Sequence, residues 1–150
     1  MKRSFAVLVA ALFLQGAAPA MAEPARVGSG EWKGQVNSEY VRKDAAYHIV
    51  ARDDEAWTRA WRLKLDADPP RSLAAGETGV MLMAGPRPTP GYTVNYRIAG
   101  RDGDGVALEA WVSEPGVVMF PGGSSSHPYR AIVLDGGDLD VEVDWREQGR

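Results

Sequence analysis

The apolar residues of this chain change their period once, and that change limits the folds open to it. From Trp57, the residues Ala60, Trp61, Lys64 and Leu65 stand at i+3, i+4, i+7 and i+8. That spacing predicts one apolar stripe along a helix, with Lys64 at its margin. Asp53, Asp54 and Glu55 supply an N-cap and an acidic first turn, and Pro69-Pro70 prevents continuation, so the helix is expected to end near Leu65. Beyond a Pro/Ala/Gly linker the period becomes two. Tyr92, Val94, Tyr96 and Ile98 alternate with polar residues, as do Val106, Leu108, Ala110 and Val112. Tyr129 to Leu134 and Asp140 to Trp145 read as two more strands, and Val80 to Ala84 as a strand apolar on both faces. Asp102 to Gly105 and Asp135 to Asp138 carry hairpin signals. Upstream, Ala46 to Ala51 alternates as a strand, and Trp32 to Tyr40 is either a strand or an irregular arm. The expectation is an α+β fold: mostly antiparallel β-sheet, with one amphipathic helix packed on it.

The N-terminus does not belong to that pattern. Lys2 and Arg3 precede the apolar run Phe5 to Leu14, and Ala20-Met21-Ala22 ends the segment. A charged start, a short apolar stretch and an A-x-A site are the signature of a secretory signal peptide over residues 1–22. The run is too short for a membrane span, which needs about 20 apolar residues. A flexible leader is expected over 23–31, then a single domain over 32–150. Two of the 17 basic residues and none of the 20 acidic ones fall in the first 22, so the remaining 128 residues carry a formal charge of -5. That balance argues against nucleic acid and anionic membrane surfaces. The chain has no cysteine. It therefore has no disulfide, no thiol nucleophile, no thiolate metal site and no cysteine lipid anchor. The expected location is the periplasm or the exterior, with no stable membrane insertion once the leader is cut.

Enzyme chemistry finds few parts. There are two histidines. His127 follows Ser124, Ser125 and Ser126, but a triad is defined by geometry and not by sequence neighbours, and no G-x-S-x-G elbow is present. His48 falls inside a strand and reads as a partly buried or paired strand residue. Two distant histidines cannot build a zinc site without carboxylates. Asp102-Gly-Asp104-Gly resembles the start of a calcium loop, yet no glutamate stands at the twelfth position. Trp57 and Trp61 could form a ligand platform, but with Ala56, Ala60 and Leu65 they read as the core face of the helix. No catalytic residue, metal or cofactor is expected.

Binding has a better address. If the last five strands form an up-and-down meander, their connections alternate between the two ends of the sheet. Gly85 to Gly91 then shares one end with Glu114 to Pro128. Three prolines stiffen the first loop, so it loses little entropy on contact. The second is about 15 residues, longer than most connections in compact domains. Its apolar Val117 to Phe120 is either a partner-binding patch or a short strand tucked on the core. The candidate rim residues are Arg87, Thr89, Tyr92, Met119, Phe120 and Tyr129, with Tyr92 and Tyr129 equally open to a core role.

The order of several segments is similar to a known family. Tyr47-His-Ile-Val leads into Asp53-Asp-Glu-Ala-Trp57-Thr-Arg-Ala-Trp61. Then follow Val80-Met-Leu-Met83, Arg87-Pro-Thr-Pro-Gly-Tyr92-Thr-Val and Ser126-His-Pro-Tyr129-Arg-Ala-Ile-Val133. With Trp32 and Gly34-Gln35 ahead of them, they resemble the C-terminal domain of the PrcB family, a protease-complex subunit. The match covers Trp32 to Leu134 and lies in order and spacing. The family's T-G-G-Y turn becomes Thr89-Pro90-Gly91-Tyr92, and the Pro fixes one φ near about -65°. The resemblance implies an exported, non-catalytic module that assists or docks on an envelope protease. An alternative is a chagasin-like protease inhibitor, since Pro88-Thr-Pro-Gly-Tyr92 is similar to the N-P-T-T-G-Y loop of those proteins, although they carry no such helix. A small-ligand binder of the envelope is the third reading.

Overall fold

The computed structural model describes residues 27–36, 45–116 and 125–147. The expected signal peptide over 1–22 lies outside them, as do Met119 and Phe120. The helix, α1 (Asp54–Leu65), forms where its sequence signals place it. Asp53 is the N-cap, and its carboxylate accepts from the Ala56 N–H at 2.7 Å. Asp54 and Glu55 sit at the positive end of the helix dipole and Arg62 and Lys64 at the negative end. Asp66 then turns left-handed, with φ of 51°, and closes it.

The described residues also form seven strands: β1 (Val27–Val36), β2 (Tyr47–Ala51), β3 (Glu77–Met83), β4 (Thr93–Asp102), β5 (Gly105–Ser113), β6 (His127–Asp135) and β7 (Asp140–Trp145). They form two sheets rather than one. The first has the order β1-β6-β3-β2 and is antiparallel throughout. The second has the order β4-β5-β7, with β4 and β5 antiparallel and β5 and β7 parallel. The mostly antiparallel α+β class holds, while the meander does not. The chain crosses from the first sheet to the second after β3, back after β5, and over again after β6. Each strand still reverses the one before it. Strands two apart therefore run in the same direction, and β5 and β7 pair in parallel because they are neighbours in space.

Three further expectations change. The Gly-rich Asp135 to Asp138 segment is no hairpin, since β6 and β7 lie in different sheets; Leu139, 1 % exposed, plunges between the sheets there and draws the chain across. The leader expected over 23–31 ends sooner, because β1 begins at Val27 and pairs with β6 through a bulge between Val27 and Glu31. The pairing is worth making: Glu31 forms an ion pair with Arg130 of β6. His48 stands exposed on the edge strand β2, not partly buried, because its face lies at the open margin of the first sheet.

The strand that reads apolar on both faces is the middle of a three-layer stack. Val80 and Leu82 of β3, with Ile132 and Leu134 of β6, face the second sheet, which offers Val94, Leu108, Ala110 and Val141. Met81 and Met83, with Ala131 and Val133, face the other way, toward α1. Here the Trp57–Trp61 pair is core: Trp57 is fully buried and Trp61 is 4 % exposed. Their rings meet edge-on at 5.7 Å between centroids, with Trp32 of β1 against both and Tyr129 of β6 against Trp61. Gly79 makes this approach possible, because a Cβ there would overlap the Trp57 ring.

The end of the sandwich remote from the 85–92 loop is closed by hydrogen bonds among its connections. The Gly136 N–H donates to Gly76 at 2.8 Å and the Asp140 N–H to Asp104 at 2.9 Å. The buried Thr78 hydroxyl donates to the Gly136 carbonyl at 2.7 Å. Arg101 and Arg52 reach the carbonyls of Asp135 and Leu139 at 2.8 and 3.1 Å. Arg71 clamps Glu77 with two hydrogen bonds of 2.8 and 3.0 Å, and the Ala74 N–H adds a third at 2.9 Å. These contacts hold the Glu77 carboxyl below its ordinary value, the Arg71 bond being the largest cause.

Candidate functional site: the rim between the sheets

The opposite end of the sandwich gathers the two loops that sequence alternation assigns to it. Strand reversal alone decides which end a connection reaches, so the assignment survives the split into two sheets. Arg87 and Ser126 form an antiparallel bridge between the loops, with N–H to carbonyl distances of 2.7 and 2.9 Å. The Ser126 side chain is buried and donates to the Thr89 carbonyl at 2.9 Å. Nearby, the Ala84 N–H donates to Pro128 at 3.1 Å. Gly91, at φ of 101°, turns the first loop past Pro115, whose Cβ would lie 2.9 Å from any side chain at that position. The loop is thus braced at both sides by the 114–128 connection.

This bracing also assigns the serine and histidine next to each other in sequence. Ser126 spends its hydroxyl proton on Thr89, and the His127 Nδ1 lies 3.1 Å from the Val36 carbonyl. Both therefore hold backbone. Among the described residues no group of three His, Asp or Glu stands close enough to hold a metal ion. Asp102 to Gly105 is the turn of the β4–β5 hairpin.

Arg87 and Tyr92 come together. The guanidinium lies over the tyrosine ring, 5.9 Å from its centroid, and the Nη2 donates to the Ala84 carbonyl at 3.3 Å. The two residues line a cleft of about 420 Å³ at the mouth of the sandwich. Val112, Glu114, Trp145, Arg146 and Glu147 line it as well. Tyr92 is half-buried and rests against the inter-sheet core, so it serves packing and rim at once. Tyr129 does not share this cleft. Its ring turns to the helix side and meets Trp61 at 6.2 Å, over Gly34, where a Cβ would stand 3.0 Å away. Burial there pushes its hydroxyl pKa up. It meets Tyr92 in a smaller groove of about 220 Å³ along the seam of β1 and β4. Thr89 is half-buried and lines neither of these two cavities.

Trp145 is the cleft residue that sequence reading passes over. The signal was present: it continues the Val141, Val143 alternation inward, and as the last residue of β7 it must reach the same end as the start of β4. Its indole N–H and the Arg87 Nε–H are buried and have no hydrogen-bond partner among the described residues.

No helix among the described residues is long and apolar enough to cross a membrane. Comparison of the chain with protein-family models, with curated proteins and with solved structures finds no match.

Proposed function

We propose that this chain is an exported, non-catalytic binding module whose partner is a protein, engaged through the rim of Arg87, Thr89 and Tyr92. The observation that supports this reading is the contrast in polar satisfaction at that rim. A proline-stiffened loop is braced in place by Ser126 and Pro115, while two N–H donors beside it have no partner among the described residues. A loop held rigid before contact loses little entropy on binding. The similarity in segment order to the PrcB family suggests an envelope protease complex as the setting, and the periplasm or exterior as the place. Met119 and Phe120 belong to the same reading through the sequence alone.

The test is recovery of bound protein from the envelope fraction of the source cell by the immobilised chain, with identification of what is recovered. The expected result is a reproducible protein, a protease or a protein associated with one. Recovery of nothing above a blank support overturns the reading. A parallel assay against a papain-like protease separates the inhibitor alternative: inertness is expected, and stoichiometric inhibition would replace the accessory-subunit reading.

A further inference from the structure

The cleft at the mouth of the sandwich has a more specific chemistry than a protein-binding rim requires. Arg87 comes from the β3–β4 loop and Trp145 from the end of β7, so a loop and a strand of remote sequence bring two side chains with N–H donors to the lining of one cavity. Both donors are closed to bulk water and have no partner among the described residues; the Trp61 indole and Arg71 Nε share that condition elsewhere, but only Arg87 and Trp145 of these lie on the lining of this cleft. A buried donor left unmade is costly, and such groups in folded proteins have a reason. The charges around the cleft narrow the acceptor. Arg146 is committed to Glu109 and Asp144, at 2.9 and 2.8 Å. Arg87 has no ion pair among the described residues, so it is the cleft's uncommitted cation. Glu114 and Glu147 line the same cleft and repel a polyanion. The two carboxylates disfavour any anion that does not meet the Arg87 guanidinium directly, and one carboxylate is the most that a single guanidinium balances.

We infer that the cleft receives a carboxylate, held by the Arg87 guanidinium and the Trp145 indole N–H. This rests on the rim reading, in which the carboxylate belongs to the partner protein, as its chain end or as an acidic side chain. Charge-assisted bonds to a planar guanidinium orient a carboxylate as well as hold it. Tyr92, already stacked under Arg87, keeps the guanidinium plane fixed. Arg87 and Trp145 are each half-buried, so a modest rotation of either admits the acceptor to its N–H.

The test is a titration of the ¹⁵N-labelled protein followed through the Trp145 indole and Arg87 Nε resonances, assigned with Trp145→Phe and Arg87→Gln. Three probes are used: N-acetylalanine for a chain end, N-acetylaspartate α-amide for an acidic side chain, and neutral N-acetylalaninamide. The expected result is saturable movement of both resonances, in the roughly millimolar range for so small a ligand, with at least one carboxylate probe and not with the neutral amide. Movement with the chain-end probe alone assigns a C-terminus, and movement with both admits a side chain. Arg87→Gln is expected to weaken binding about tenfold or more. Trp145→Phe keeps the packing and removes the donor, and is expected to weaken it several-fold with the melting temperature retained. Equal response to the neutral amide, or no response to either carboxylate, overturns the inference. So does unchanged affinity in Trp145→Phe, which would leave that N–H to water. If the probes fail while Thr89→Ala still lowers recovery of an envelope protein, the rim reading stands without the carboxylate. If they bind while rim variants leave recovery unchanged, the cleft is a small-molecule site and the rim reading falls.

Discussion

The two ends of this sandwich are built from similar residues and finished differently. At the end of the β4–β5 hairpin, glycines and aspartates make short connections, and the donors named there meet acceptors: Gly136 to Gly76, Asp140 to Asp104, Thr78 to Gly136, Arg101 to Asp135. At the other end, prolines and longer connections leave a cleft and two buried N–H groups without partners among the described residues. The first end shows what the chain does when closure is the aim. Buried N–H groups without a partner among the described residues also occur at Arg71 Nε of the first end and at the Trp61 indole in the helix layer; what sets the second end apart is that Arg87 and Trp145 line one cleft. Functional sites are where such unmet groups concentrate.

Substitutions at the two ends should separate stability from recognition. The largest effect on folding is expected from Leu139→Ala. The residue is 1 % exposed where the chain crosses between sheets, and its loss should cost about 2–5 kcal/mol in urea unfolding. Thr78→Val comes next, because it strands the Gly136 carbonyl while keeping the shape. A loss of about 1–3 kcal/mol is expected, read by thermal melting. Smaller again is an acid effect at Glu77. Its folded pKa lies below the ordinary 4.5, chiefly through the Arg71 bond, so its contribution is complete above that value and fades as pH falls below it through the depressed pKa. Urea midpoints measured downward from pH 6 should fall less steeply in Glu77→Gln than in the parent. The smallest effect is expected at the rim. Arg87→Gln leaves the backbone bridge to Ser126 intact and should change stability by no more than about 0.5 kcal/mol. A loss as large as that of Leu139→Ala would erase the distinction between the ends.

Much of this is legible in the sequence, and the reasons are particular. Local signals placed the helix correctly, because Asp53, the Trp57–Leu65 stripe and Pro69 each act within a turn or two. Strand positions were legible for the same reason, since alternation is local. Pairing was not. Nothing near Gly136 distinguishes a hairpin from a crossing, because the deciding contact is Leu139 burying itself between sheets whose other strands are remote in the sequence. That the 85–91 loop and the 114–128 connection meet at one end was legible in spite of this, since direction reversal fixes the end whatever the sheet. The cleft was half legible: Arg87 and Tyr92 lie within one loop, but Trp145 joins them only once β7 is seen beside β5. Tyr129 shows the opposite limit, for its strand position put it at the rim while its side chain faces the helix.

The central claim is that recognition belongs to one end and closure to the other. Recovery of envelope protein should therefore be compared among the parent, the rim double variant Arg87→Gln/Thr89→Ala and the far-end surface variant Asp104→Ala, all at equal folded concentration. The account predicts that the rim variant loses most of the recovered protein and the far-end variant retains it. Equal recovery by all three, or loss confined to Asp104→Ala, would contradict it.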